Sequence, residues 1–470
     1  AQILGGYSLG GADLLRRAMG KKKAEEMAEH RERFRAGAAK THGIPQEKAD
    51  EIFDLMEKFA GYGFNKSHAA AYSLLAYHTG WLKVHYTAEF YCANMTIEMD
   101  NTDKLKVLFE DGVKNFGMTF EAPDINRGTY RFEPISDKVI RYGLGAVKGT
   151  GQSAVEAIVA AREEGGPFTS LYDFCCRVDR SRINKRTVEA LIKAGAFDSL
   201  HMNRATLVAS IDRAFEFAAT MEANANQGGL FDMGDSHAAS TQEPDLVECT
   251  PWGVKERLAQ EKTAIGFYLS GHLFDEVERE VRRFCKRRID ELVDTREPLL
   301  LAGIVTDMRV INGQRGKLAL FKLDDKTDVI EAAADESVFS PQRHWLKDDE
   351  LVVLLAKLQP DRFSGGFRLN VQQIWDLATA RCRFGKYLKV AVNGTAPDIV
   401  RLVRDFPPKK EVTEQGELLR GLGVRLEVLR EEARVELQLG EQAKFFPTDA
   451  ALASWIAQAH GGQAQIVYEN

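Results

Sequence analysis

Gly61-Tyr-Gly-Phe-Asn-Lys-Ser-His-Ala-Ala-Ala-Tyr-Ser-Leu-Leu-Ala-Tyr-His-Thr-Gly-Trp-Leu-Lys83 sets a glycine-rich turn ahead of a long apolar run. From Ala69 to Tyr91 apolar residues lie nearly all round the helical circumference, a pattern that predicts a helix enclosed on most sides. His78 and His85 share a face of that helix and so read as satisfied core histidines rather than ligands. The turn delivers Asn65, Lys66, Ser67 and His68 to the helix start, where free amide groups beside a lysine can hold a phosphate. A capped helix with a solvated lysine is the plainer reading of the same residues.

Upstream, Gln46 to Phe59 places Ala49, Ile52, Phe53, Met56 and Phe59 at the spacing of a buried helical stripe. Ala12 to Phe34 is built of good helix formers and gathers Arg16, Arg17 and Lys21 to Lys23 at one end. Downstream, the pattern changes at about Val139. An apolar helix, the hairpin Lys148-Gly-Thr-Gly151 and a following amphipathic helix compose a helix-hairpin-helix unit, and Ile183 to Gly195 suggests a paired second one. Glycines in such a hairpin let the backbone approach a phosphate closely, and the amides read no bases. Lys148, Gly149, Thr150 and Gly151, with Lys185 and Arg186, are therefore candidates for sequence-independent duplex contact, a tight structural turn being the alternative. Residues 138 to 213 carry 12 Lys plus Arg against 8 Asp plus Glu, a local +4.

The charge then reverses, since residues 214 to 250 hold seven acidic residues and no Lys or Arg. A flexible loop is expected over 222 to 250, with Leu230-Phe231 as an apolar island. Five period-two segments between 298 and 378, with a helical piece between the third and fourth, follow the order of an OB-type barrel. Arg309, Arg315, Lys317, Phe363, Phe367 and Arg368 could offer it charge and stacking faces for single-stranded DNA, or the barrel is structural. Residues 388 to 470 alternate strand and helix as a small α+β domain. The fold class is thus multidomain α+β: helical 1 to 130, helix-hairpin-helix 131 to 297, barrel 298 to 378 and tail 388 to 470.

Composition sets the outer bounds. The 470 residues carry 63 basic and 69 acidic side chains, a formal charge of −6, with 44% hydrophobic and 28% charged residues. That excludes disorder, collagen and coiled coil as descriptions of the whole and suits about three or four domains. With no apolar stretch able to span a bilayer and no basic-then-apolar leader, a cytoplasmic protein without membrane contact is expected. Six scattered cysteines without a CxxC pair read as buried free thiols, and no metal site is expected.

Two strings carry a family likeness. GYSLGGADLLRRAMGKKK (Gly6 to Lys23) and FAGYGFNKSHAAAYSLLAYHTGWLKVHYTAEF (Phe59 to Phe90) closely resemble the fingers of the bacterial replicative DNA polymerase III alpha subunits. The resemblance continues in the family's order through the hairpin, loop, barrel and tail. It implies an incoming dNTP held by Arg16, Arg17, Lys66, Ser67 and His68, and template-primer DNA at the hairpin units. It makes Gln227-Gly-Gly-Leu-Phe231 a peptide for the ring-shaped sliding clamp (beta), Gln227 bonding at the pocket rim while Leu230 and Phe231 fill it. The alternative is a loop tacked onto its own domain by that Leu-Phe pair. The tail resembles the part that binds the clamp-loader tau subunit, in company with the other holoenzyme subunits.

The family's closely spaced palm aspartates are not found here. Asp324-Asp325 and Asp348-Asp349-Glu350 read as solvated turn charges. With Ala1 falling inside a motif, the expectation is a C-terminal fragment without catalytic residues of its own, whose Mg²⁺ ligands lie outside this chain and which binds but does not polymerise alone. A non-catalytic DNA-binding adaptor and the family's error-prone paralog are the competing readings.

Overall fold

The computed structural model describes residues 1–21, 24–62, 66–227, 242–313, 316–360, 366–413, 416–430 and 433–469. These form two compact units. The first comprises Ala1–Ile97, Leu108–Thr119 and Pro134–Ile140, the second Glu98–Val107, Phe120–Glu133 and Arg141–Asn470. No helix among the described residues is long and apolar enough to cross a membrane.

In the first unit, α1 (Gln2–Gly5), α2 (Leu9–Lys21), α3 (Ala24–His42) and α4 (Gln46–Tyr62) enclose a core of Leu15, Ala18, Met27, Phe34, Ala38, Ala49 and Phe53. The predicted stripe on α4 supplies two of these. A Cβ on Gly37 would stand 1.8 Å from the Gly5 carbonyl oxygen, so α1 packs against α3 backbone to backbone. Arg31 bridges from α3 to Asp54 (2.5 Å) and Glu57 (2.7 Å) on α4, and Arg35 pairs with Asp50.

α5 (Lys66–His85) forms as predicted but buries none of its residues, which corrects the expectation of an enclosed helix. Tyr72, Leu74, Leu75 and Tyr77 are all more than half exposed, and His78 and His85 are surface residues rather than core histidines. After α5, α6 (Thr87–Ile97) buries Tyr91, Cys92 and Met95, and α7 spans Thr102–Phe116. Lys83 (2.6 Å) and the Tyr91 hydroxyl (2.5 Å) both donate to Asp111, holding its carboxyl down at about 2, while burial, with Asp111, pushes the Tyr91 phenol up.

Short strands follow: β1 (Thr119–Glu121), β2 (Glu133–Ser136) and β3 (Val139–Arg141). A strand and a 3₁₀ turn (Leu144–Ala146) stand where an apolar helix was predicted before the hairpin. The β-branched Val139-Ile140 pair favours extension. Gly143 and Gly145 then bring the backbone so close to Tyr130 and Arg131 that a Cβ would meet them at 2.7 and 2.4 Å. In the second unit, α8 (Gln152–Gly165), α9 (Leu171–Arg177), α10 (Lys185–Lys193), α11 (Arg204–Gln227) and α12 (Val254–Ile265) follow. Phe174 is packed edge-on by Phe168 (5.0 Å) and Phe197 (4.9 Å). α11 continues to Gln227, so residues 222–227 are helix rather than loop. Residues 242–250 are also tied down, with Val247 N on Ser210 Oγ (2.9 Å), Arg213 on Asp245 O (2.6 Å) and Asn203 on Cys249 O (2.7 Å).

After α13 (Glu278–Val281), the strands β4 (Leu299–Gly313), β5 (Gly316–Asp324), β6 (Val329–Asp335), β7 (Leu351–Pro360) and β8 (Phe367–Trp375) close into a barrel, with α14 (Glu336–Phe339) between the third and fourth. The order is β4-β5-β6-β8-β7, closed by the β4–β7 ladder. Alternation puts Ala319, Phe321 and Leu323 of β5 inside, against Leu301, Leu354 and Leu369. Asp325 is not solvated, as a turn charge would be. It is 1% exposed and accepts from Arg282 (2.8 Å), Ile289 N (3.0 Å) and Thr327 N (3.1 Å). Asp349 and Glu350 pair with Lys262 (2.5 Å) and Lys255 (3.0 Å).

The tail starts with α15 (Leu377–Phe384) and β9 (Gly385–Val392), then α16 (Ile399–Asp405), the hairpin β10 (Lys409–Thr413) and β11 (Gly416–Arg420), β12 (Val424–Leu429), β13 (Arg434–Gln438), α17 (Asp449–Gln458) and β14 (Ala464–Tyr468). Its sheet runs β13-β12-β9-β14, with β9 parallel to β12 and Trp455 and Phe445 beneath. The β10–β11 hairpin was not anticipated, because Lys409-Lys-Glu-Val-Thr413 and Gly416-Glu-Leu-Leu-Arg420 show no apolar alternation in the sequence. Buried Arg381 ties the tail together, gripping Glu280 with two 2.7 Å bonds and Asp449 at 2.6 Å. Of the cysteines, Cys92, Cys175 and Cys285 are buried as expected. Cys176 is exposed, and Cys249 and Cys382 are half-buried, because their helix and loop positions face outward.

Candidate nucleic-acid interface

Backbone bonds hold the hairpin that joins the 3₁₀ turn to α8. Lys148 N donates to Ala264 O of α12 (2.8 Å) and Thr150 N to Val147 O (3.0 Å). Gly149 has φ +80, a region that L side chains rarely adopt, so glycine is required there. Gly151 is different. Its φ of −76 suits any residue, and a Cβ there would meet nothing within 4 Å, so the fold itself does not call for glycine. What the missing side chain does leave is open backbone at the N-cap of α8, where no side chain caps the first turn.

A second helix start converges on this turn. Asn184 caps α10 by accepting from Thr187 N (2.9 Å), and the Thr187 hydroxyl donates to Gly149 O (3.3 Å). The N-termini of α8 and α10 are thereby fixed beside one exposed turn. Lys148 and Arg186 are exposed, and neither side chain has a hydrogen bond or ion pair among the described residues. Lys185 is spoken for. Its ammonium pairs with Asp212 and lies 6.0 Å from the Phe215 ring. Thr150 is buried, and its hydroxyl has no partner among the described residues. From α8, Arg162 braces the segment between β1 and β2, donating to Ile125 O (3.0 Å) and Gly128 O (2.8 Å). That brace has no local signature, since an arginine three turns into an amphipathic helix reads as solvated.

In the first unit, Arg16 and Arg17 both close on Asp13 at 2.9 Å, one and the other side of the same carboxylate, and both remain mostly exposed. Their bonds, Arg16's foremost, hold the Asp13 carboxyl below its ordinary range. Lys66, Ser67 and His68 form the exposed first turn of α5, with the His68 ring 4.5 Å from that of Tyr72. Packing joins α2 chiefly to α3 and α4, and α5 chiefly to α6, so the two halves of the predicted phosphate platform sit on separate supports. Lys21 ends α2, and Lys22, Lys23 and Asn65 lie outside the described residues. Gln227 is the last residue of α11; Leu230 and Phe231 lie outside the described residues. On the barrel, Phe367 is 42% exposed and Lys317 is a surface residue, while Arg315 and Phe363 lie outside the described residues.

Known proteins supply the remaining observation. Residues 117–207 match a helix-hairpin-helix motif, and residues 1–42 match the bacterial DNA polymerase III alpha subunit finger domain. A DNA polymerase III subunit alpha of Neisseria meningitidis is 51% identical over 408 residues, covering 86% of this chain and 35% of that protein. The chain belongs to the DNA polymerase III alpha subunit family. Its counterparts of the same name in Vibrio cholerae and Escherichia coli are 40% and 38% identical over 96% of this chain. The chain spans 35% to 39% of the length of these family members, so the match runs through helices, barrel and tail alike but covers a minority of each relative.

Proposed function

We propose that the chain works within a bacterial replicative DNA polymerase that extends a primer on template DNA, adding dNMP to a 3′ hydroxyl. In this reading the turn Lys148-Gly-Thr-Gly151 holds duplex phosphate, with Arg186 beside it. The observation that carries the proposal is Gly151, a glycine with nothing to pack against at an uncapped helix start, in a hairpin whose Lys148, like Arg186 of α10, has no side-chain partner among the described residues. The helix-hairpin-helix match over the same residues supports it. Contacts of this kind position a duplex without reading it.

The same reading assigns Arg16, Arg17, Lys66, Ser67 and His68 to dNTP phosphates, the closed five-stranded barrel to an OB-type single-strand surface, and the tail to the tau subunit. Gln227, Leu230 and Phe231 are assigned to the sliding clamp. The Mg²⁺ ions of nucleotidyl transfer are not placed on this chain's acidic pairs. Asp325, Asp349 and Glu350 are committed to Arg282, Lys262 and Lys255, a set that does not fit a two-metal site.

The test is duplex binding against salt for the parent and Lys148→Ala. Affinity should fall by a similar factor on unrelated sequences, and the slope of log K against log salt should shrink by about 1. An unchanged slope would return the turn to a purely structural role.

A further inference from the structure

The tail sheet ends at one side on β13, and all five residues of that strand are exposed. Its ladder to β12 fixes which way each backbone group points. Arg430 N donates to Ala433 O (2.9 Å) and Leu439 N to Val424 O (2.9 Å), and bonded pairs alternate along an antiparallel ladder, so Val435 and Leu437 bond inward to Val428 and Leu426. Arg434, Glu436 and Gln438 therefore turn their N–H and C=O groups outward, where no strand pairs with them among the described residues.

The two faces of β13 differ. On one, charges are matched within the sheet, Arg434 pairing with Glu427, and Glu436 with Lys389 (2.9 Å) and Arg425 (3.1 Å). On the other, Val435 and Leu437 stay half-exposed beside the buried Leu426. Leu439 continues that side into a groove of about 710 Å³, which it lines with Ile399, Val400 and Val403 of α16. A free edge beside unfilled apolar surface is what an added strand requires, because main-chain bonds supply affinity and alternate side chains supply specificity. A second copy of the chain suits this edge poorly. Antiparallel pairing that uses all three outward residues is centred on Glu436 and sets that carboxylate against its own copy, and like charges directly opposed destabilise a ladder.

We propose that the β13 edge binds an extended peptide segment of a partner protein, antiparallel to β13, with apolar residues at alternate positions and one of them in the groove beside α16. The inference rests on the edge and the groove and not on the tail's assignment to tau, which stands or falls separately on binding of purified tau.

The test uses the whole chain and a capped peptide, Phe-Thr-Val-Thr-Val-Thr-Lys, whose apolar residues fall opposite Leu439, Leu437 and Val435, with a scrambled peptide of the same composition beside it. In the free chain the amides of Arg434, Glu436 and Gln438 should exchange fast and those of Val435 and Leu437 slowly, and saturating peptide should slow the first three by about tenfold or more. Gln438→Pro removes one outward N–H without touching the ladder to β12, so by calorimetry it should weaken binding by about tenfold, while Gln438→Ala, which keeps the N–H, should bind as the parent does. Val400→Asp, at a position 79% exposed, should weaken binding through the groove and leave the melting temperature unchanged. No saturable binding of the patterned peptide by the parent, equal affinity for the scrambled one, parental affinity in a folded Gln438→Pro or in Val400→Asp, or protection that arises away from β13 would each overturn the proposal. Outward amides already protected in the free chain, increasingly with its concentration, would overturn it in favour of a second copy.

Discussion

Replacing Asp325 by asparagine should unsettle the barrel more than any surface change near it. The carboxylate is 1% exposed and draws together three pieces of chain: Arg282 at 2.8 Å, Ile289 N at 3.0 Å, and its own turn through the Thr327 amide (3.1 Å) and hydroxyl (2.5 Å). Asparagine keeps the shape but turns one acceptor into a donor and leaves the Arg282 guanidinium, itself 18% exposed, without its counter-charge. Breaking one side of such a buried pair costs about 3–5 kcal/mol. Burial raises the Asp325 carboxyl, but the bonds from Thr327, Arg282, Ile289 and Asp328 outweigh it and hold the group below its ordinary range. A carboxyl depressed in the folded state contributes stability that is fully present above its unfolded value of about 3.9 and is lost as pH falls through the folded value. The gap between parent and Asp325→Asn should therefore stay constant from neutral pH to about pH 4 and close below that. Urea unfolding read by Trp345, which packs against the barrel core, measures it directly. A gap under about 1 kcal/mol at neutral pH, or one that does not narrow in acid, would refute the pair's structural role.

Three further outcomes follow from other contacts. Gly37→Ala sets a methyl 1.8 Å from Gly5 O, so α1 must lift from α3 at a cost of about 1–3 kcal/mol, visible as faster amide exchange around Tyr7; parental exchange rates would disprove the close packing. Arg381→Met leaves Glu280 facing the Tyr468 hydroxyl (2.5 Å) with no guanidinium, and thermal unfolding of the tail should fall sharply, by about 3–5 kcal/mol. Phe231→Ala should weaken binding to a purified bacterial sliding clamp by about 2 kcal/mol or more, and equal affinity by calorimetry would remove the loop from that role.

The barrel was legible almost strand for strand because its alternation is strict: a strand with one face in the core and one in water writes its register into every second residue. The β10–β11 hairpin was illegible for the converse reason. Lys409, Lys410 and Arg420 show no apolar period, and only the structure shows that Lys409 pairs with Arg420 across the ladder. At the hairpin before α8, glycine spacing identified the turn. It could not show that Thr187 would bond Gly149 or that Lys185 would be claimed by Asp212 while Arg186 was not. Those distinctions come from α10 and α11 packing across the turn, a long-range fact that local spacing does not carry. Asp325 was misread on the same ground, since a turn aspartate between charged neighbours looks solvated until Arg282, 43 residues away, is seen to cover it.

α5 shows the limit of hydropathy most directly. An apolar circumference says what could be buried and nothing about what is present to bury it, and Tyr72, Leu74, Leu75 and Tyr77 stay more than half exposed. Burial therefore does not account for its helicity. Ala69 to Ala71, Leu74, Leu75 and Ala76 are among the strongest helix formers, and over five turns their preference adds up. The far end is anchored by the Lys83 bond to Asp111, and α6 begins within two residues of its last turn. A helix secured by propensity and anchored at its far end by the Lys83–Asp111 ion pair can leave its first turn, Lys66 to His68, exposed to solvent.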